Sequence, residues 1–168
     1  MDLLNISPLQ WQALLCCFLS ACFIGLERQL QGKPVGIRTS SLICIGTYIF
    51  VAVTRQQFNV AGDPSRIVGQ VITGIGFLGA GVMLAKDGIV VGVTSAASIW
   101  ILAAIGVLVG LGHHWLGVKI AILTVAILVG VNLMENSFAF MQRGVHGRFK
   151  ERRQSARSNG TPPDVGSE

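Results

Sequence analysis

The chain has 168 residues, 51% of them apolar and only 12% charged, with a net charge of +5 and a mean hydropathy of +0.62. A soluble domain carries about 25% charged residues. The composition therefore excludes an ordinary water-soluble domain and points to one integral membrane domain.

A membrane-crossing helix needs roughly 20 mostly apolar residues. Five stretches approach that length: residues 9–26, 38–53, 67–85, 94–111 and 116–134. The expectation is an all-α, polytopic helix bundle of about five transmembrane helices. It occupies residues 1–140, and a basic, disordered cytoplasmic tail follows at 141–168. The first stretch does not read as a signal peptide, because Asp2 is the only charge before Glu27 and Glu27-Arg28 is a poor cleavage site. Between the first two stretches, residues 27–37 hold Gly32, Pro34 and Gly36, which predicts a break in helix. Asp63-Pro64 reads as an N-cap followed by a first-turn proline. The third stretch carries Gly69, Gly74, Gly76, Gly79 and Gly81. Asp87-Gly88 is a turn signal, and the β-branched run 89–93 suggests a short extended or re-entrant piece, with Thr94 or Ser95 capping the next helix. Gly106 and Gly110 repeat the small-residue spacing in the fourth stretch.

Basic residues set the topology. Arg28, Lys33, Arg38, Lys86 and six residues of the tail fall on one face, ten in all, against Arg55, Arg66 and Lys119 on the other. Lys and Arg collect on the cytoplasmic side, which places the N-terminus outside and the C-terminus in the cytoplasm. Trp11 and Trp115 then share the outer interface.

The motif Gly74-Ile75-Gly76-Phe77-Leu78-Gly79 has the letters of a dinucleotide fingerprint but lies inside a membrane stretch, with no acidic residue at the required distance. The glycines read instead as a smooth face for helix packing, or for a partner helix from another protein. The charged residues at the edges of the apolar stretches, Glu27, Arg28, Arg38, Asp63 and Arg66, are the candidate functional groups, because charges near lipid are costly unless paired. The competing reading is topology setting and snorkelling. Asp63 is within reach of Arg66 across a first turn. Cys16, Cys17, Cys22 and Cys44 read as small apolar packing residues, and His113-His114 as part of a polar turn. The basic tail suits anionic lipid, not nucleic acid. No catalytic constellation, cofactor motif or metal-ligand set is expected, so the chain is not read as an enzyme.

Several blocks carry a family resemblance: Gly25-Leu26-Glu27-Arg28, Gly32-Lys33-Pro34-Val35-Gly36-Ile37-Arg38-Thr39, Asp63-Pro64-Ser65-Arg66-Ile67, the run from Gly69 to Gly81, and Val93-Thr94-Ser95-Ala96-Ala97 with Trp100. With them the chain resembles the MgtC/SapB family of bacterial inner-membrane proteins, over residues 21–112. The resemblance implies a regulator that serves adaptation to low magnesium and intracellular survival. It also implies contact within the membrane with a partner such as the F-type ATP synthase. Many members carry a cytoplasmic ACT-like domain; with 28 residues after Phe140, a short form without it is expected. The alternative is a small ion transporter or channel, with a homo-oligomer lining its pore by Thr73, Thr94, Ser95 and Ser98.

Overall fold

A computed structural model describes residues 6–57, 64–86 and 89–135. The elements in order are α1 (Trp11–Leu30), α2 (Ile37–Gln57), α3 (Pro64–Gly81), β1 (Leu84–Lys86), β2 (Ile89–Val91) and α4 (Val93–Gly110). A fifth helix, α5, covers His114–Glu135. The compact unit of interest ends at Leu128; of a second unit, Val129–Glu168, only the continuation of α5 to Glu135 is described.

Among the described residues, four helices are long and apolar enough to cross a membrane: α1, α2, α4 and α5. The apolar part of α3 is shorter, Val68–Gly81. The expected third span of 67–85 stops early because the chain leaves the helix after Gly81 and folds into an antiparallel hairpin. Its register pairs Leu84 with Val91, Ala85 with Val90 and Lys86 with Ile89. Ile89, Val90 and Val91 are β-branched and suit a strand. Asp87 and Gly88, the expected turn, lie outside the described residues, as do Asp63 and the tail 141–168.

The expected break in helix within residues 27–37 lies between Leu30 and Ile37; α1 runs past Glu27 to Leu30, since Glu27, Arg28, Gln29 and Leu30 are good helix formers. It ends in a Schellman motif: Gly32 N–H donates to the Gln29 carbonyl at 3.1 Å and Lys33 N–H to the Arg28 carbonyl at 2.9 Å, with Gly32 at φ +63°. The fourth helix is not capped by Thr94 or Ser95. Its N-cap is Gly92 at φ +92°, with no side-chain bond.

Side-chain size sorts the helices. The buried side of α1 is Ala13, Cys16, Cys17, Ser20, Ala21, Ile24, Gly25, Glu27 and Arg28, a stripe of mostly small residues at three- and four-residue spacing. Its exposed side carries Trp11, Leu15, Phe18, Leu19, Phe23, Leu26 and Leu30. Small residues inside and large apolar ones outside are the pattern of a helix packed against protein on one side and lipid on the other. The central helix is α4, which contacts α1, α2 and α3. It closes most tightly on α2. A Cβ at Gly106 would stand 2.5 Å from the Cys44 carbonyl oxygen and 2.7 Å from Thr47 Cβ; one at Gly110 would stand 2.6 Å from Val51 Cγ1. Gly117 of α5 sits against Val109 and Ile105.

Candidate functional site: a buried ion pair at one end of the bundle

The end of α1, the start of α2 and the start of α4 lie at the same end of the bundle, because consecutive long helices run antiparallel. The stripe on α1 continues through Glu27 and Arg28, so both side chains point inward. Glu27 is 7% exposed and Arg28 3%. Arg28 Nη2 donates to Ser95 Oγ in the first turn of α4 at 3.2 Å. Arg28 Nη1 lies 3.8 Å from Glu27 Oε2. Neighbours in a helix do not face each other, so this contact is a grazing one. Among the described residues, neither carboxylate oxygen of Glu27 and not the Nε of Arg28 has a hydrogen-bond partner. Removing two charges from water costs several kcal/mol per ion, on the order of what a well-made pair returns. Here the pair is incomplete, so the node holds a carboxylate with unused acceptor capacity.

The loop from α1 to α2 closes this end. Val35 is buried and takes φ +70°, a conformation rarely adopted by a β-branched residue. The fully buried Ser40 donates its Oγ proton to the Val35 carbonyl at 3.1 Å. A Cβ on Gly25 would stand 2.7 Å from Ile37 Cα and 2.9 Å from Ser40 Oγ. This approach binds α1 to the start of α2 and leaves no room for a larger residue. Strain of this kind, held by a packed surround, marks functional segments.

The remaining charged candidates separate from the node. Arg38 is exposed at the same end. Arg66 is exposed at the start of α3, the opposite end of the bundle, and Asp63, its expected partner, lies outside the described residues. The four hydroxyl residues named for a pore do not share a face: Thr73 and Thr94 are exposed, Ser95 and Ser98 buried. Thr73 and Ser98 donate to the carbonyls four residues back, at 3.0 Å and 2.8 Å. Sequence reasoning named Ser95 as a cap or a pore residue and missed it as the acceptor of Arg28. The signal was the small-residue spacing of α1, which, carried past Ile24, turns Glu27 and Arg28 toward α4.

The glycines split into two sets. Gly106 and Gly110 lie against α2, as described above. Gly79 is buried, with Ala96 Cβ at 3.7 Å from where its own would be. Around Gly69, Gly74, Gly76 and Gly81, no described atom lies within 4 Å of an added Cβ. The close packing expected of them is not supplied by the described residues, because α3 turns Ile75 and Gly79 inward and leaves these four exposed. Beside them, an apolar groove of about 480 Å³ runs between α2 and α3, lined by Thr47, Phe50, Gln70, Gly74 and Leu78.

A multi-pass helical bundle, with large apolar residues outward and an ionisable pair buried at one end, defines a polytopic membrane protein. The sequence profile of the MgtC family matches residues 14–137, and the chain belongs to that family. It is 40% identical over 130 residues to YhiD of Escherichia coli, covering 73% of this chain and 60% of that protein. It is 37% identical over 131 residues to protein MgtC of Brucella abortus, covering 76% and 54%. Over 121 residues it is 39% identical to protein MgtC of Salmonella typhimurium, covering 72% and 50%. The chain thus spans half to three-fifths of the length of these relatives. No solved structure matches it.

Proposed function

We propose that this chain is a regulatory membrane protein of magnesium adaptation that acts by docking a transmembrane helix of another protein on the exposed side of α3, where Gly69 and Gly76 form one small-residue stripe and Gly74 and Gly81 a second. The observation that carries the reading is the set Gly69, Gly74, Gly76 and Gly81, exposed on an apolar helix with no described atom where each Cβ would stand. Glycine weakens an isolated helix, and lipid does not require it. A second helix does use it, because its backbone can then approach closely. The groove beside Gly74 and Leu78 gives such a helix a second wall. The magnesium connection rests on family membership and on the name of the Escherichia coli relative, "Putative magnesium transporter YhiD". Membranous subunits of the F-type ATP synthase are the partner implied by the family.

The test is photocrosslinking from position 77, where Phe77 is 82% exposed on α3. Cells grown in low magnesium should yield an adduct with a membrane subunit of the ATP synthase. A Gly76→Leu chain should accumulate normally and lose the adduct. An adduct that survives Gly76→Leu unchanged sinks the docking surface.

One observation favours a second reading, cation transport. Glu27 is an ionisable group inside the bundle whose carboxylate oxygens have no hydrogen-bond partner among the described residues, and such groups mark ion pathways. Reconstituted vesicles loaded with a magnesium-sensitive dye separate the two readings, since a regulator leaves the dye silent.

A further inference from the structure

We propose that the end of the bundle opposite the ion pair holds a phosphate-binding pocket. A cavity of about 490 Å³ opens there between the starts of α1 and α5 and the ends of α2 and α4. Its polar lining comes from Ser7, Gln10, Tyr48, Arg55 and His114. Among the described lining residues the charged side chain is that of Arg55, with no carboxylate beside it, and an anion is the ligand such a lining suits.

Three features make this more than a stray surface arginine. First, Arg55 is directed by the fold. Its Nη1 stands 3.5 Å from where a Cβ of Gly112 would be, so the guanidinium reaches from the last turn of α2 across to the turn between α4 and α5. That turn is fixed by a second Schellman motif, in which Gly112 N–H donates to the Val109 carbonyl at 3.0 Å and His113 N–H to the Leu108 carbonyl at 2.9 Å. Second, Tyr48 lines the cavity though 2% exposed, and its hydroxyl accepts from Gln10 N–H at 2.8 Å. That bond ties the start of α1 to α2 and leaves the phenolic proton to donate. Third, α1 and α5 both begin at this rim, α1 with no side-chain cap, so the positive ends of two helix dipoles add to the guanidinium.

Depth decides what kind of phosphate is met first. Trp11 and Trp115, 58% and 68% exposed, stand at the same end. Exposed tryptophans settle at the headgroup level of a bilayer, so the pocket opens where lipid phosphates lie. A fork of guanidinium donors matches phosphate oxygens better than a point charge does. The shared chemistry is a phosphate group, either on a lipid or free in solution.

The test uses the full chain purified in detergent, with bound lipid measured by native mass spectrometry. Phosphatidylglycerol, diacylglycerol and inorganic phosphate are the three probes. Wild type is expected to retain phosphatidylglycerol and not diacylglycerol, and Arg55→Ala to lower that retention about five- to tenfold. Arg38→Ala, which removes an exposed arginine at the other end, should leave it unchanged. Displacement of the lipid by millimolar inorganic phosphate assigns the pocket to free anions, and resistance to displacement assigns it to headgroups. Equal retention by wild type and Arg55→Ala overturns the proposal. So does an equal loss in Arg38→Ala, which would reduce the effect to overall charge.

Discussion

Arg28 and Ser95 are 67 residues apart in sequence and joined by one buried hydrogen bond of 3.2 Å, from the last turns of α1 to the first turn of α4. The same guanidinium is the only described positive charge beside the buried Glu27 carboxylate. One side chain therefore both crosslinks two helices and neutralises a charge that lipid would not tolerate.

This double role predicts an asymmetric response to substitution. Arg28→Ala strands Glu27 in a buried site and should cost about 3–5 kcal/mol. Ser95→Ala removes only the acceptor and should cost about 1–3 kcal/mol. The double change Glu27→Ala with Arg28→Ala should be milder than Arg28→Ala alone, because no unpaired charge remains. Denaturation in detergent micelles measures all three. A double variant less stable than Arg28→Ala would show that Glu27 contributes by something other than its charge.

The two glycine sets predict opposite phenotypes. Gly106→Leu drives a side chain into the Cys44 carbonyl and Thr47. Overpacking costs about 1–3 kcal/mol where neighbours yield, and these include backbone, so the variant should accumulate poorly. Gly74→Leu meets open space and should accumulate like wild type. Immunoblots of membrane fractions report the contrast. Equal loss of both would mean that α3 is packed from its glycine side.

Much of this architecture is legible in the sequence, and the exceptions have physical causes. The long apolar stretches place α1, α2, α4 and α5 within a few residues, because lipid sets both their length and their composition. The third stretch misleads because hydropathy does not distinguish helix from strand: Leu84 and Ala85 suit either, and only pairing with Val90 and Val91 makes them a hairpin. Small-residue spacing announces close packing but not its partner. It is met by α2 at Gly106 and by nothing described at Gly76. The charges at Glu27 and Arg28 stand at the edge of an apolar stretch, where the sequence marks them as candidate groups but leaves snorkelling as the competing reading. Their inward orientation depends on helix phase.

The distribution of basic residues, ten on one face and three on the other, predicts an external N-terminus and a cytoplasmic C-terminus. It follows that the Glu27–Arg28 node faces the cytoplasm and the Arg55 pocket the outside. Reporter fusions at Met1 and Glu168 measure this directly. Reporters on the same side would require an even number of crossings, with the shorter α3 the first helix to drop out.

The last prediction concerns whether the Glu27 carboxylate serves function or only stability. Glu27→Gln keeps the shape and the burial while removing the charge. It relieves the cost of a buried anion but leaves Arg28 as an uncompensated buried cation, so the cost should approach the about 3–5 kcal/mol of a broken buried pair. Function is therefore read at matched membrane levels, set by immunoblot. If the node only locks α1 to α4, growth in low magnesium should match wild type, since Arg28 still donates to Ser95. If the charge takes up a proton or a cation during action, growth should fall although the protein accumulates and crosslinks to its partner as before. Glu27→Asp then separates charge from reach. It restores the negative charge on a side chain shorter by one methylene, so partial recovery of growth identifies the charge as the active feature, and none shows that carboxylate position governs as well. Wild-type growth of Glu27→Gln would reduce Glu27 to a structural residue and leave Arg28 as the sole functional group of this end.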